Sequence, residues 1–88
     1  MQLHLRIHGQ VQGVFFRYSA KEQAENLGLV GWIRNNLDGS VEALAEGERD
    51  KLEQFIIWCR KGPPGAEVQK LKVEWSKEEE QFSTFDII

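Results

Sequence analysis

Between residues 3 and 27 the apolar periodicity changes once, from two to nearly four. The change falls on the glycine-bearing stretch Gly9-Gln10-Val11-Gln12-Gly13-Val14-Phe15-Phe16-Arg17. Before it, Leu3, Leu5 and Ile7 alternate with His4, Arg6 and His8, the period of a strand with one face buried. After it, Phe16, Ala20, Ala24 and Leu27 repeat at helical spacing, and Gly28 stands where a helix stops. A strand that passes through a short loop into a helix has to bury both apolar stripes against further elements, so the remaining residues must supply a sheet.

They do so in a readable order. Leu29–Ile33 predicts a second strand, and Asn35-Asn36-Leu37-Asp38-Gly39 a turn with a hairpin signal in Asp38-Gly39. Val41, Ala43 and Ala45 alternate in a third strand that ends at Gly47. From about Arg49 to Arg60, Leu52, Phe55, Ile56 and Cys59 fall on one helical face. Asp50 and Glu53 stand at capping-box spacing there, with Glu48 or Gly47 as alternative caps. Lys61-Gly62-Pro63-Pro64-Gly65 ends that helix. Val68, Leu71, Val73 and Trp75 mark a fourth strand, Lys77–Gln81 a solvated connection, and Phe82, Phe85, Ile87 and Ile88 a short final strand. The order β-α-β-β-α-β is that of an α+β, ferredoxin-like sandwich: an antiparallel sheet with two helices on one face and an extra C-terminal strand. Residues 1–88 are expected to form a single domain, since a chain of this length builds one core.

Charge and cysteine content narrow the function. Eleven Lys and Arg against fourteen Asp and Glu leave a net charge of −3. That balance argues against a nucleic-acid binder, which needs surplus cations to displace counterions. A small anion is different, because one arginine and a few oriented amides outweigh a mildly negative surface locally. The single cysteine, Cys59, allows no intrachain disulfide and no cysteine-based metal cluster. With no signal-peptide h-region and no apolar run near the ~20 residues of a membrane span, the expectation is a cytoplasmic monomer that meets neither membrane nor nucleic acid.

Few residues suit chemistry. The sequence has no GxxxxGK[ST] and no GxGxxG. His4 and His8 lie four apart on one strand, about 13 Å, too far to share a metal, and read as solvated side chains. Cys59 reads as a buried structural thiol, and Trp32, Trp58 and Trp75 as core or half-buried residues.

The opening loop remains. Lying between strand and helix, it puts unpaired helix N-terminal amides, the positive end of the helix dipole and Arg17 within reach of one small anion. Gly9 and Gly13 permit the positive φ that turns successive N–H groups inward. The same residues also suit a tight βα connection with Arg17 in solvent. Asn35, just past the second strand, either aims a water at a bound phosphate or merely stabilises its turn; spacing alone favours the turn.

Ile7 to Arg17 resembles the first signature of the acylphosphatase family. Gly31-Trp32-Ile33-Arg34-Asn35, followed by Asp38-Gly39-Ser40-Val41-Glu42 and Gly47, resembles the second at the family's spacing. Leu27-Gly28-Leu29 and Gly62-Pro63-Pro64-Gly65 are similar too, so the resemblance spans essentially the whole chain. It implies a hydrolase that cleaves the carboxyl–phosphate bond of acyl phosphates, with inorganic phosphate as product and competitive inhibitor. By the family's pattern Arg17 binds the phosphoryl group, the backbone amides of Gln12, Gly13, Val14, Phe15, Phe16 and Arg17 assist, and Asn35 orients the attacking water. No metal and no cofactor is implied. Ala20 takes a position where many members carry Thr, and Asn36 one where members vary.

Two other functions share the pattern. A binding module would keep the anion pocket without turnover, as in the carbamoyl-phosphate-handling domains of larger maturation proteins. An RNA-binding sheet shares the element order but wants central aromatics where this chain places His4, Arg6, Glu42, Leu44 and Glu46; it is set aside.

Overall fold

Alternation in the first strand dictates where everything else packs. In the computed structural model, which describes residues 1–88, Leu3, Leu5 and Ile7 are fully buried on one face of β1 (Gln2–Gln10). β1 lies inside the sheet, antiparallel to β3 (Val41–Glu46) on one side and to β4 (Glu67–Ser76) on the other. β2 (Val30–Asn35) pairs antiparallel with β3, and the sheet order is β4-β1-β3-β2-β5.

The helices cover the face that carries those leucines. Phe16, Ala20 and Ala24 of α1 (Phe16–Asn26) and Leu52, Phe55 and Cys59 of α2 (Arg49–Lys61) join Leu3, Leu5, Ile7, Ile33, Val41, Ala43 and Ala45 in one core. The ferredoxin-like α+β architecture is thus present, with one correction. β5 (Phe85–Ile87) pairs with β2 in parallel, so the sheet is mixed rather than wholly antiparallel, and β2 is antiparallel only to β3. The sequence of β5 reveals a strand but not its direction. Direction follows from the connection after β4, which crosses the end of the sheet past Met1 and Glu46, bonded to Glu79 and Glu80, so that β5 starts level with β2; Phe85 then packs edge-on against Phe55 with centroids 6.0 Å apart. No helix is long and apolar enough to cross a membrane.

Two other differences have local causes. β2 begins one residue later than expected and continues to Asn35, which makes Asn35 its last residue instead of a turn residue. In β4 the core-side residues Val68 and Leu71 are three apart, which breaks strict alternation. The register shift between His8 and Gly9 explains this: His8 pairs with Lys70 and Gly9 with Val68, leaving Gln69 as a bulge.

The bulge depends on Gly9. Its φ of 131° suits glycine, and a Cβ there would lie 2.1 Å from the Glu67 carbonyl oxygen and 2.8 Å from the Gln69 nitrogen. Gly13 also has a positive φ, 77°, but a Cβ there would meet nothing within 4 Å. The two glycines therefore differ in cost. Gly13→Ala is expected to lower stability by about 1–2 kcal/mol, the left-handed penalty alone. Gly9→Ala adds a backbone clash and is expected to cost well beyond that, about 3 kcal/mol or more. Urea denaturation of both variants checks the order.

Candidate active site

The loop between β1 and α1 is built from backbone in unusual conformations. Phe15, immediately before the helix, has φ 60° and ψ 24°, a left-handed conformation that a bulky side chain rarely adopts. The helix then starts at Phe16 with no side-chain cap and no acidic residue in its first turn. Ser19 N–H is the first to find a partner, donating to the Phe15 carbonyl at 3.0 Å. The amides of Phe16, Arg17 and Tyr18 are left as the helix's unpaired donors. A left-handed residue followed by right-handed ones turns successive N–H groups toward a common point, which is an anion-binding geometry.

Phe16 fixes that junction in place. Its ring is 1% exposed and packs edge-on against Trp58, with centroids 5.5 Å apart. Gly62 presses on it from the Gly62-Pro63-Pro64-Gly65 loop: a Cβ there would lie 2.8 Å from Phe16 Cε2. Gly65 reaches Val14 in the same way, 3.8 Å from where its own Cβ would stand. The glycine-proline loop thus backs the opening loop from outside.

Asn35 arrives at the same place through strand parity. Gly31, Ile33 and Asn35 share the helix-bearing face of β2, so the last of them projects beside the start of α1. The result is a cleft of about 260 Å³ lined by Val11, Gly13, Phe15, Phe16, Arg17, Tyr18 and Asn35. Arg17 and Asn35 are therefore brought together. No carboxylate lines the cleft, and none of the five ion pairs in the molecule involves Arg17. A second, larger groove of about 610 Å³ runs between α1 and the glycine-proline loop, but neither Arg17 nor Asn35 borders it. Elsewhere, no group of three or more His, Cys, Asp or Glu side chains is placed to hold a metal ion.

Gln12 has a side-chain role that sequence reasoning did not find. Its Nε2 donates to the carbonyl oxygens of Asn36 (2.8 Å) and Ser40 (3.0 Å), clasping the loop to the β2–β3 turn. That turn is itself braced. Asn36 N–H donates to the Ser40 carbonyl, Asn36 Nδ2 to Ser40 Oγ, and both Ser40 N–H and Oγ to Asp38 Oδ1. The bonds from Ser40 hold the Asp38 carboxyl below its ordinary range. One amide side chain therefore ties the element carrying Arg17 to the element carrying Asn35. Only the spacing of Gln12 from the turn in three dimensions reveals it.

On the opposite face of the sheet the charges pair with one another. Glu42, nearly buried, has His4 Nε2 at 2.5 Å, Arg34 Nη2 at 2.9 Å and Arg6 Nη2 at 3.6 Å. His4 is thus not a free solvated side chain. His8, its neighbour along β1, has a buried Nε2 without a partner. Burial alone would raise the Glu42 carboxyl, but the hydrogen bonds from His4 and Arg34 outweigh it and bring it to about 2. Cys59 is buried and free, and its burial pushes the thiol upward, away from reactivity.

Two predictions arise here. Gln12→Leu, which deletes both clasping bonds, is expected to lower stability by about 1–3 kcal/mol in urea denaturation. Glu42, whose carboxyl lies below its ordinary 4.5, contributes fully above pH 4.5 and loses that contribution as pH falls toward about 2. Stability is therefore expected to decline across that window. Glu42→Gln should show a shallower decline in the same acid titration of unfolding.

Comparison with known proteins shows what the chain is similar to. The family model for acylphosphatase matches residues 3–87. An acylphosphatase of Pelotomaculum thermopropionicum is 48% identical over 84 residues, covering 96% of this chain and 91% of that protein. The crystal structure of acylphosphatase from Bacillus subtilis matches with a TM-score of 0.97 at 37% identity, covering 99% of this chain and 97% of that one. Full-length HypF in its phosphate- and nucleotide-bound form matches with a TM-score of 0.90 at 28% identity, covering 99% of this chain but 11% of HypF.

Proposed function

The chain belongs to the acylphosphatase family and is a hydrolase, and we propose that Arg17 and Asn35 carry its reaction on acyl phosphates. The observation that supports this most directly is the cleft that holds the unpaired Arg17, the first amides of α1 and Asn35 together, with no carboxylate among them.

In this reading the phosphoryl group sits against the loop amides and the forked donors of Arg17. Asn35 holds a water in line with the bond to be broken. The water oxygen attacks phosphorus, the bond from phosphorus to the carboxyl oxygen breaks, and the carboxylate leaves with its electron pair. Being a weak base, it needs no general acid. The water proton passes to a phosphate oxygen or to bulk water, since neutral Asn35 cannot keep it. Such a transfer asks for positioning and charge stabilisation more than for covalent help. The residues of the cleft offer those two things. Inorganic phosphate, occupying the same cradle, would compete with substrate.

Hydrolysis of benzoyl phosphate in the presence of EDTA tests the proposal. The parent is expected to turn over without added metal. Arg17→Ala is expected to lose about 10³-fold or more in kcat/KM, and phosphate inhibition with it. An Arg17→Ala variant that keeps its phosphate affinity would count against a phosphate clamp. Asn35→Ala is expected to lose about 10²-fold in kcat with little change in phosphate inhibition. Phosphate binding with no turnover in the parent would instead assign the cleft to a binding module.

A further inference from the structure

The core is left unfinished along one border of the sheet. Leu3, Leu5 and Ile7 of β1 are fully buried, but Trp75, Val73 and Leu71, which stand opposite them on the edge strand β4, are only half-buried. A groove of about 350 Å³ lies there between β4 and α2, and neither Arg17 nor Asn35 borders it. Ile56, Val73 and Trp75 line it half-buried, and Ile57 stands 69% exposed at its rim.

The charges on this groove follow a pattern. Arg49, Glu53, Ile56 and Arg60 fall at i, i+4, i+7 and i+11 of α2, which is one stripe of the helix. The two arginines mark its ends, about 16 Å apart along the axis. Arg49 lies over the Trp75 ring at 4.3 Å, a contact that uses the flat face of the guanidinium and leaves its N–H edge available. A cation in the first turn opposes the helix dipole, so helix stability does not account for Arg49. No ion pair in the molecule involves Arg49, Glu53 or Arg60. The groove is thus apolar along its floor and positive at both ends, with one unpaired carboxylate in the middle, on a chain whose net charge is −3.

We propose that this groove receives a short acidic amphipathic helix of another protein, apolar along one stripe, with carboxylates at its two ends and none in its centre. Two arginines set three helical turns apart match carboxylates that repeat at the same pitch, and the apolar floor between them matches the partner's stripe. Glu53 rejects a central carboxylate, which fixes the register. A second copy of this chain fits poorly, because a two-fold axis would set one arginine-ended stripe against another of the same sign.

Two synthetic peptides of about 15 residues, long enough to be partly helical in water, test the proposal. Both carry the same leucine stripe and the same glutamates, placed at the ends in one and in the centre in the other. With isotope-labelled protein, the end-charged peptide is expected to shift the amide resonances of Arg49, Ile56, Ile57, Arg60, Val73 and Trp75, and the centre-charged isomer to bind about fivefold more weakly or worse. Arg49→Glu combined with Arg60→Glu should abolish binding while benzoyl phosphate hydrolysis is unchanged. Arg60→Glu alone leaves the Arg49–Trp75 contact in place and should weaken binding, and Ile57→Ala should weaken it about fivefold. Equal binding of the two isomers overturns the proposal, as do shifts confined to another surface or binding that survives the double charge reversal. Resonances of the groove that move with protein concentration alone assign it to a second copy instead. Binding to phosphatidylserine vesicles without binding to either peptide assigns it to an anionic membrane surface instead.

Discussion

The whole arrangement hangs on where one phenyl ring is seated. Phe16 is the first residue of α1, and its ring lies between Trp58 of α2 and the glycine-proline loop that follows α2. The seat of the ring sets where the helix starts, and the direction of its unpaired amides with it. Phe15, which joins the loop to that seated residue, enters the helix from the left-handed side. Such strain persists only where the surroundings over-determine it. Here the surroundings are the packed ring on one side and the Gln12 clasp on the other. The anion geometry is thus set by tertiary packing as much as by the glycines in the loop.

Charge is distributed so that Arg17 alone is free at the cleft. Arg6 and Arg34 are drawn to Glu42 on the far face of the sheet, and Arg34 also lies over the Trp32 ring at 5.1 Å. Arg49 lies over Trp75 at 4.3 Å. Each of these guanidinium groups has a neighbour that holds it. Arg17 has none in the protein, although the molecule as a whole is negative. A mildly acidic chain can therefore present a locally positive cleft without a surplus of cations.

Much of the fold was legible because period and punctuation agreed at every step. The alternation of Leu3, Leu5 and Ile7, the helical spacing of Phe16, Ala20 and Ala24, and the stop at Gly28 each indicate the element that is present. What was not legible was non-local. The parallel direction of β5 depends on the connection that crosses the end of the sheet from β4, bonded to Met1 and Glu46, both far away in sequence. The bulge at Gln69 appears in sequence only as a broken alternation. At the site, Arg17 and Asn35 stood out, but for different reasons: Arg17 by its place in a loop–helix junction, Asn35 through resemblance, since its spacing suggested a turn. The parity of β2 explains why it is not one. Gln12 and Tyr18 carried no local signal, because a clasp between two loops and a cleft wall exist only once the chain is folded.

Closing the β2 edge with the last residues has a further consequence for how these molecules behave in company. A sheet has two edges, and an unpaired edge is a template for another chain. β5 covers β2 along Gly31–Ile33, held there by the Ile88 amide donating to the Ile33 carbonyl and by Lys21 Nζ donating to the Phe85 carbonyl. The other edge, β4, stays open but is interrupted by its bulge and studded with Glu67, Lys70, Lys72 and Glu74. One edge is shielded by covering and the other by charge and irregularity. Neither edge therefore offers another strand a long, regular row of free backbone groups on which to continue the sheet.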